Sequence, residues 1–308
     1  MSSEKIMELI INNKEEYFCA AKFSADIEKE YNIHLSINEI VYLMMFILGD
    51  SSNKREEQGI PVLVAMHGDG VAFVIARTVQ VHPYLVLADQ DSDIADMIAG
   101  VIIKQVRCIL TDPYANAFNE WANGNCWERD EIEMKPEVWE RKFEIVSLCY
   151  PIQLAYLFWK NSGRGALFAD EFKEAMKLIV KGFYVEQDHE HLSSYRFQRS
   201  NCIFADILSR DGKGYYVNGK TRLLWSGFRA SDDVCSYGNR ILSKMFALVV
   251  LGLGYLSKIN KEIYRSDEDA DDALKFVVEI RNAIEKYGIV SGRDKLPPFY
   301  TYEVDGYG

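Results

Sequence analysis

Three clusters hold the side chains best suited to chemistry. They are Asp112-Pro113-Tyr114-Ala115-Asn116-Ala117-Phe118-Asn119, Asn123-Gly124-Asn125-Cys126-Trp127-Glu128, and the stretch from Trp225 to Tyr237 with Arg229, Asp232, Asp233 and Cys235. Aromatic faces beside amides, carboxylates and a guanidinium suit a pyranose, whose C–H face stacks on a ring while its hydroxyls take paired hydrogen bonds. Adjacent Asp232 and Asp233 can set one carboxyl in a pocket as a general acid while the other orients it. The same spacing also fits Asp232 as the cap of a helix starting near Cys235, with the aromatics in the core. Cys126 and Cys235 have no histidine nearby in sequence and read as free buried thiols. Asp188-His189-Glu190-His191 lacks the rest of a ligand set, so a solvated acidic turn is expected there and no metal. His67, followed by Gly68-Asp69-Gly70, ends an apolar strand-length run and is expected at the carboxyl edge of a sheet, within reach of phosphate.

The elements that position these residues are mostly helical. Glu15 to Ile47 has helical periodicity, with Ser36-Ile37-Asn38-Glu39 as a capping box before Ile40, Leu43, Met44 and Ile47. The polar run from Asp50 to Gly59 reads as a linker, and Ile60 to Met66 as a buried parallel strand turning into a helix over Val71 to Thr78. Beyond Gln80 no further strand–turn–helix unit follows. Asp93 is expected to cap a helix bearing Ile94, Met97, Ile98, Val101 and Ile102. More helices are expected over Phe143 to Lys160, interrupted near Pro151, and over Ala169 to Val185, Ser243 to Ile259 and Asp271 to Tyr287.

Composition excludes several classes. Among 308 residues, 35 Lys+Arg stand against 46 Asp+Glu, a net charge of -11, with no basic cluster to meet a nucleic acid or an anionic membrane. With 48% hydrophobic and 13% aromatic residues the chain is too rich in core material to stay disordered. The longest apolar run, Met245 to Leu256, falls short of the roughly 20 residues needed to cross a bilayer. The acidic N-terminus carries no signal-peptide pattern, and the 6 cysteines show neither a disulfide framework nor zinc spacing, so a reduced cytoplasmic protein is expected.

From Val79 to Gly308 the chain resembles glycoside hydrolase family 125, the exo-α-1,6-mannosidases. The resemblance rests on the words VHPYL, DPYANAFN, NGNCWE, VWERKFE, SLCYPIQLAY, YRFQR, WSGFRASDD and FYTYEVDGYG, in that order. It implies a mainly α protein, an (α/α)6 toroid, which hydrolyses terminal α-1,6-linked mannose with inversion and without a cofactor. It also implies that Asp232 or Asp233 is the acid, that Asn125, Trp127, Trp225 and Arg229 contact an α-mannoside oligosaccharide, and that a glutamate near the C-terminus is the base. Family members are expected to extend further at both ends, so the toroid is expected to be incomplete and its activity weak or absent. Val146 stands where the family word has an aspartate, and Asn239 to Lys244 replace an apolar stretch.

Residues 1–78 resemble the end of a phosphotransferase-system regulation domain (SINEIVYLMMFI) followed by the start of a mannose-type IIA domain (VLVAMHGDGVA). His67 matches the phospho-acceptor position, whereas Phe46 occupies the place of a second phosphorylatable histidine and cannot accept phosphate. Four regions are therefore expected: 1–49, a helical regulation-domain fragment; 50–59, a linker; 60–78, the start of a IIA-like α/β domain; and 79–308, the partial hydrolase domain. The two resemblances imply bacterial mannose metabolism, with phosphotransferase proteins as partners of the N-terminal segment. The alternative to a hydrolase is a phosphotransferase-linked regulatory or mannoside-binding remnant without catalysis.

Overall fold

Among the described residues of the N-terminal unit, Met1–Gly70, the longest helix is α1, Lys14–Tyr31; it buries Ala20 and Ser24, the Ser24 hydroxyl donating to the Ala20 carbonyl. The computed structural model describes residues 7, 10–11, 14–31, 34, 36–37, 40, 55–57, 60–62, 71–73, 78, 80–127, 134–199, 208–214, 221–228, 241–290, 297–301 and 303–304. His67 and Phe46 lie outside these residues. The Ile40 N–H donates to the Ser36 carbonyl, as expected of the turn opened by the capping box. The structure corrects the parallel strand: β1, Arg55–Glu57, which falls within the expected linker, pairs antiparallel with β2, Ile60–Val62, Glu57 facing Ile60. Only Gln58 and Gly59 separate them, a spacing typical of the tightest hairpins, and antiparallel strands need no crossover helix.

The second unit, Val71–Gly308, opens with β3, Val71–Phe73, a strand where a helix was expected. Val71 and Phe73 are a β-branched and an aromatic residue, and the segment pairs antiparallel with β4, Ala117–Asn119, which pairs in turn with β5, Val138–Glu140. After a 3-10 turn at His82–Leu87 comes α2, Ser92–Thr111. Its cap is Asp91, not Asp93: the Asp91 carboxylate accepts from the N–H groups of Asp93 and Ile94, and Asp93 sits in the first turn, where a negative charge favours the helix dipole.

Helix α3, Ile145–Ser162, continues through Pro151 rather than breaking there. Proline forfeits one backbone hydrogen bond and crowds the preceding turn, but burial of Ile152, Leu154, Ala155 and Phe158 outweighs that cost. The helix stops at Gly163, whose φ of 68° is left-handed and whose N–H closes on the Trp159 carbonyl. Helix α4, Asp170–Glu186, carries two acidic residues in its first turn, and a single turn, α5, follows at His189–Leu192. Strand β6, Ile241–Leu242, leads into α6, Ser243–Glu262. Helix α7, Asp267–Tyr287, starts four residues before the expected Asp271, because Ser266 caps it by accepting from Asp269 N–H. Two short pairings close the chain, β7, Ile289–Val290, with β8, Phe299–Tyr300, and β9, Glu303–Val304, with β6.

The helices pack in the succession α4, α2, α3, α6, α7. Their shared core contains Ile98, Ile102, Phe158, Phe172, Phe183, Leu253 and Phe276, each at 2% exposure or less. Among the described residues no helix is long and apolar enough to cross a membrane. The cap assignment has a direct test in urea unfolding. Asp91→Ala is expected to cost about 1 kcal/mol and Asp93→Ala less, since Asp93 acts on the dipole alone; the reverse order would return the cap to Asp93.

Candidate functional site

The segment Val138–Glu144 builds the centre of the second unit because alternate residues meet different partners, as an extended chain requires. Glu140, Lys142 and Glu144 enter one buried polar network. The Asn116 amide donates to Glu140 Oε2 at 3.0 Å and to Glu144 Oε1 at 3.4 Å, while its carbonyl accepts from the Lys142 N–H at 3.1 Å. Lys142 Nζ lies 3.2 Å from Glu140 Oε1 and Arg199 Nη2 3.5 Å from the same oxygen. Ser147 donates to Glu144 Oε2 at 3.1 Å. All six side chains are buried. Burial pushes the Glu144 carboxyl up to about 7; the Ser147 hydrogen bond opposes this, the Glu140 charge adds to it, and Lys142 and Asn116 oppose it further.

Arg141 and Phe143, the alternate residues, enter a second network made of aromatic rings around Glu186. Arg141 Nε donates to Asp112 Oδ2 at 2.6 Å, and its guanidinium lies 5.6 Å from the centre of the Tyr114 ring and 5.1 Å from that of Tyr195. Phe143 packs against Tyr114 and lies parallel to Trp225. Glu186, with no exposed surface, accepts from Tyr114 Oη at 2.8 Å and Ser193 Oγ at 2.7 Å on one oxygen, and its other oxygen lies 2.6 Å from His189 Nδ1. His189 Nε2 faces the Lys213 carbonyl at 2.8 Å, so that nitrogen carries the hydrogen and donates. Burial, and then the Glu186 charge, push the Tyr114 phenol well above its ordinary range and keep it a neutral donor.

The structure brings together some of the expected site residues. Trp225 lies at this centre with no exposed surface, its ring stacked 3.7 Å from His189, so it backs the site from within and has no open face for a pyranose. Trp127 and Asn125 are exposed, Trp127 by 67%. Arg229, Asp232, Asp233 and Cys235 lie outside the described residues; the chain leading to them is pinned by the Trp225 N–H donating to the Glu186 carbonyl at 2.9 Å and by Ser226, whose hydroxyl faces the Phe228 carbonyl at 2.9 Å. Cys126 is a free, half-buried thiol. The Asp188–His191 tract is not simply a solvated turn: His191 is exposed against Asp188, whereas His189 is fully buried. Among the described residues no group of three or more His, Cys, Asp or Glu is placed to hold a metal.

Sequence reasoning missed Glu140, Lys142, Glu144 and Glu186 and read the buried His189 as part of a solvated turn. The available signal was the run Glu140-Arg141-Lys142-Phe143-Glu144, charges spaced by two directly before an apolar helix, where ordinary core patterning forbids them. Glu144 supplies a pH test. Its carboxyl binds a proton more tightly folded than unfolded, where the ordinary value is 4.5, so stability falls as pH rises from about 4.5 to about 7, by up to roughly 3 kcal/mol. Glu144→Gln, permanently neutral, is expected to flatten that part of the stability–pH curve; curves that stay parallel for the two proteins would contradict it.

Comparison with known proteins gives this site a lineage. Residues 73–308 match the model of the metal-independent α-mannosidase family, glycoside hydrolase family 125, and residues 2–50 match that of the PRD domain. The meiotically up-regulated gene 157 protein of Schizosaccharomyces pombe is 30% identical over 246 residues, which are 74% of this chain and 47% of that protein. The chain thus spans about half the length of this curated relative. A Streptococcus pneumoniae structure, described as a metal-independent α-mannosidase in a non-productive complex with α-1,6-mannobiose, superposes with a TM-score of 0.78 at 31% identity, covering 100% of this chain and 68% of that one. The mainly helical architecture is accordingly that of the (α/α)6 toroid.

Proposed function

The chain belongs to the metal-independent α-mannosidase family through residues 73–308, and from this premise we propose that it hydrolyses terminal α-1,6-linked mannose with inversion at the anomeric carbon. One observation carries the reading: both buried networks are assembled from the residues of the site words, Asp112 to Asn116, Glu140 to Glu144 and Trp225, inside the matched region. In this mechanism the cluster around Glu186 and Asn116 forms a rigid frame, and Asp232 or Asp233 protonates the leaving oxygen. Arg229, Asn125 and Trp127 orient the mannoside.

Glu140 and Glu144 are not the acid–base pair. Both are buried and both accept from the single Asn116 Nδ2, at 3.0 and 3.4 Å, so the amide fills the space where inversion would need a sugar ring and a water between the two carboxyls. Their role is to hold the segment from which Arg141 and Phe143 project. Inversion also needs a base that takes the proton of the attacking water, a role the family resemblance gives to a glutamate near the C-terminus, and it needs no metal or organic cofactor.

A second reading is favoured by the PRD match at residues 2–50: a regulatory protein whose N-terminal segment receives phosphate at His67 from phosphotransferase proteins and whose hydrolase part binds mannosides without cleaving them. Incubation with a phosphohistidine donor separates the two, acid-labile phosphate that vanishes in His67→Ala supporting regulation. The catalytic reading is tested with α-1,6-mannobiose followed by proton NMR. The first mannose released is expected as the β-anomer, and replacing the acid, Asp232→Asn or Asp233→Asn, is expected to lower release at least about 100-fold. First release as the α-anomer, or full release by both variants, would overturn it.

A further inference from the structure

Helices α4, α6 and α7 enclose a groove of about 390 Å³, in the size range of a ligand site. Two contacts between α4 and α7 bracket it. Lys173 Nζ lies 4.0 Å from Asp269 Oδ2, and eleven residues further along α4 the Tyr184 ring stacks on Phe276 at 4.4 Å. The floor is apolar, made by Met176 and Val180 of α4, Leu256 of α6 and Ala273 of α7. None of these side chains takes part in the two buried polar networks.

The charges around the groove are unevenly spent. On the α7 rim, Asp269 is engaged by Lys173 and by the Ser266 hydroxyl at 2.8 Å, and Asp272 by Lys275 at 2.8 Å. On the α4 rim, Lys177 and Lys181 are exposed, and their ammonium groups form no ion pair or hydrogen bond among the described residues. Two unspent positive charges therefore flank an apolar floor, on a chain of net charge -11. Within the floor, Asn260 of α6 is only 8% exposed, and its side-chain amide makes no hydrogen bond among the described residues. Leucine would suit that position better, because a buried amide without partners loses its hydration and gains nothing in return. The amide carries both a carbonyl acceptor and N–H donors, so its partner must offer a donor and an acceptor together. A peptide group does so; a hydrocarbon carboxylate does not.

We propose that this groove docks an extended peptide of a partner protein in which acidic and apolar residues alternate. Lys177 and Lys181 are four residues apart on a helix, a rise of about 6 Å, while carboxylates two residues apart on an extended chain repeat at about 6.6 Å. The intervening residues project to the opposite side, down onto Met176, Val180 and Leu256. From Lys173 to Tyr184 the helix rises about 16 Å, which accommodates about five extended residues. One peptide group of that backbone donates its N–H to the Asn260 carbonyl and accepts from the Asn260 amide. A partner helix fits less well, because its backbone groups are already paired and would leave Asn260 unmet.

The test follows the fluorescence anisotropy of a labelled, end-blocked Leu-Glu-Leu-Glu-Leu peptide on the full chain, beside Leu-Gln-Leu-Gln-Leu and Leu-Lys-Leu-Lys-Leu. The glutamate peptide is expected to bind about fivefold more tightly than the glutamine one, as two exposed ion pairs allow, and the lysine peptide most weakly. High salt is expected to erase that difference. Lys177→Gln combined with Lys181→Gln is expected to bring the glutamate and glutamine peptides to equal affinity. Asn260→Leu is expected to weaken both without lowering the thermal midpoint of the free protein, since it removes an unpaired amide; the lysine arm decides independently of that variant. Equal affinity for all three peptides, or a glutamate preference that survives the double glutamine variant, overturns the proposal. Octanoate that displaces the glutamate peptide at equal concentration assigns the groove to small amphiphilic anions and also overturns it.

Discussion

Withdrawing the Glu186 carboxylate from water costs several kcal/mol unless donors replace the lost hydration, and that requirement draws the second unit together. One donor comes from far along the chain, Tyr114 from the loop after α2, 72 residues away, while the other partners are close in sequence: Ser193 donates from the segment after α5, and His189 of α5 sets its Nδ1 against the second oxygen. His189 then needs its own partners and finds the Lys213 carbonyl and the face of Trp225. The carbonyl of Glu186 also accepts from the Trp225 N–H, so side chain and backbone of one residue fix the stretch that precedes Asp232 and Asp233. Removing any one member strands a buried polar group, which makes the arrangement cooperative.

The Val138–Glu144 segment turns this constraint into a site. Alternation sends three charged residues into the Asn116 network and Arg141 and Phe143 into the Glu186 network, so a single extended stretch couples two polar clusters that would otherwise be independent. Both clusters sit where the loop after α2 meets the start of α3, and the apolar core beneath, Ile98, Ile102, Phe158 and Phe172, holds the helix ends that carry them. Rigid helices with chemistry on the connecting loops is the division of labour expected of an enzyme scaffold.

Much of the helical frame could be read directly. Helices α2, α3, α4, α6 and α7 lie where periodicity put them, because an amphipathic helix of 17 to 21 residues declares its buried face in local spacing. Boundaries shifted where capping decided them, Asp91 for Asp93 and Ser266 in place of a start at Asp271, since several neighbouring acidic or hydroxyl residues can cap and only side-chain geometry selects one. The errors over residues 55–62 and 71–73 share one cause. Short strands carry little periodic signal, and their pairing partners, as with Val71 and Asn119, can lie far along the chain.

The sequence by itself determined the class of architecture, the clusters of aromatic and amide residues and the words that carry the family resemblance, because these depend on residue type and local order. Only the tertiary structure decided which polar residues are chemically special. His189 looked like part of an exposed acidic turn and Trp225 like an open stacking face, yet the two are buried against each other. Glu144 has its proton affinity raised by burial and by a neighbour four residues away, Glu140, whose charge acts only because the fold closes both off from water. Burial and the meeting of segments 72 residues apart, as between Tyr114 and Glu186, are properties of the folded whole, and no local pattern encodes them.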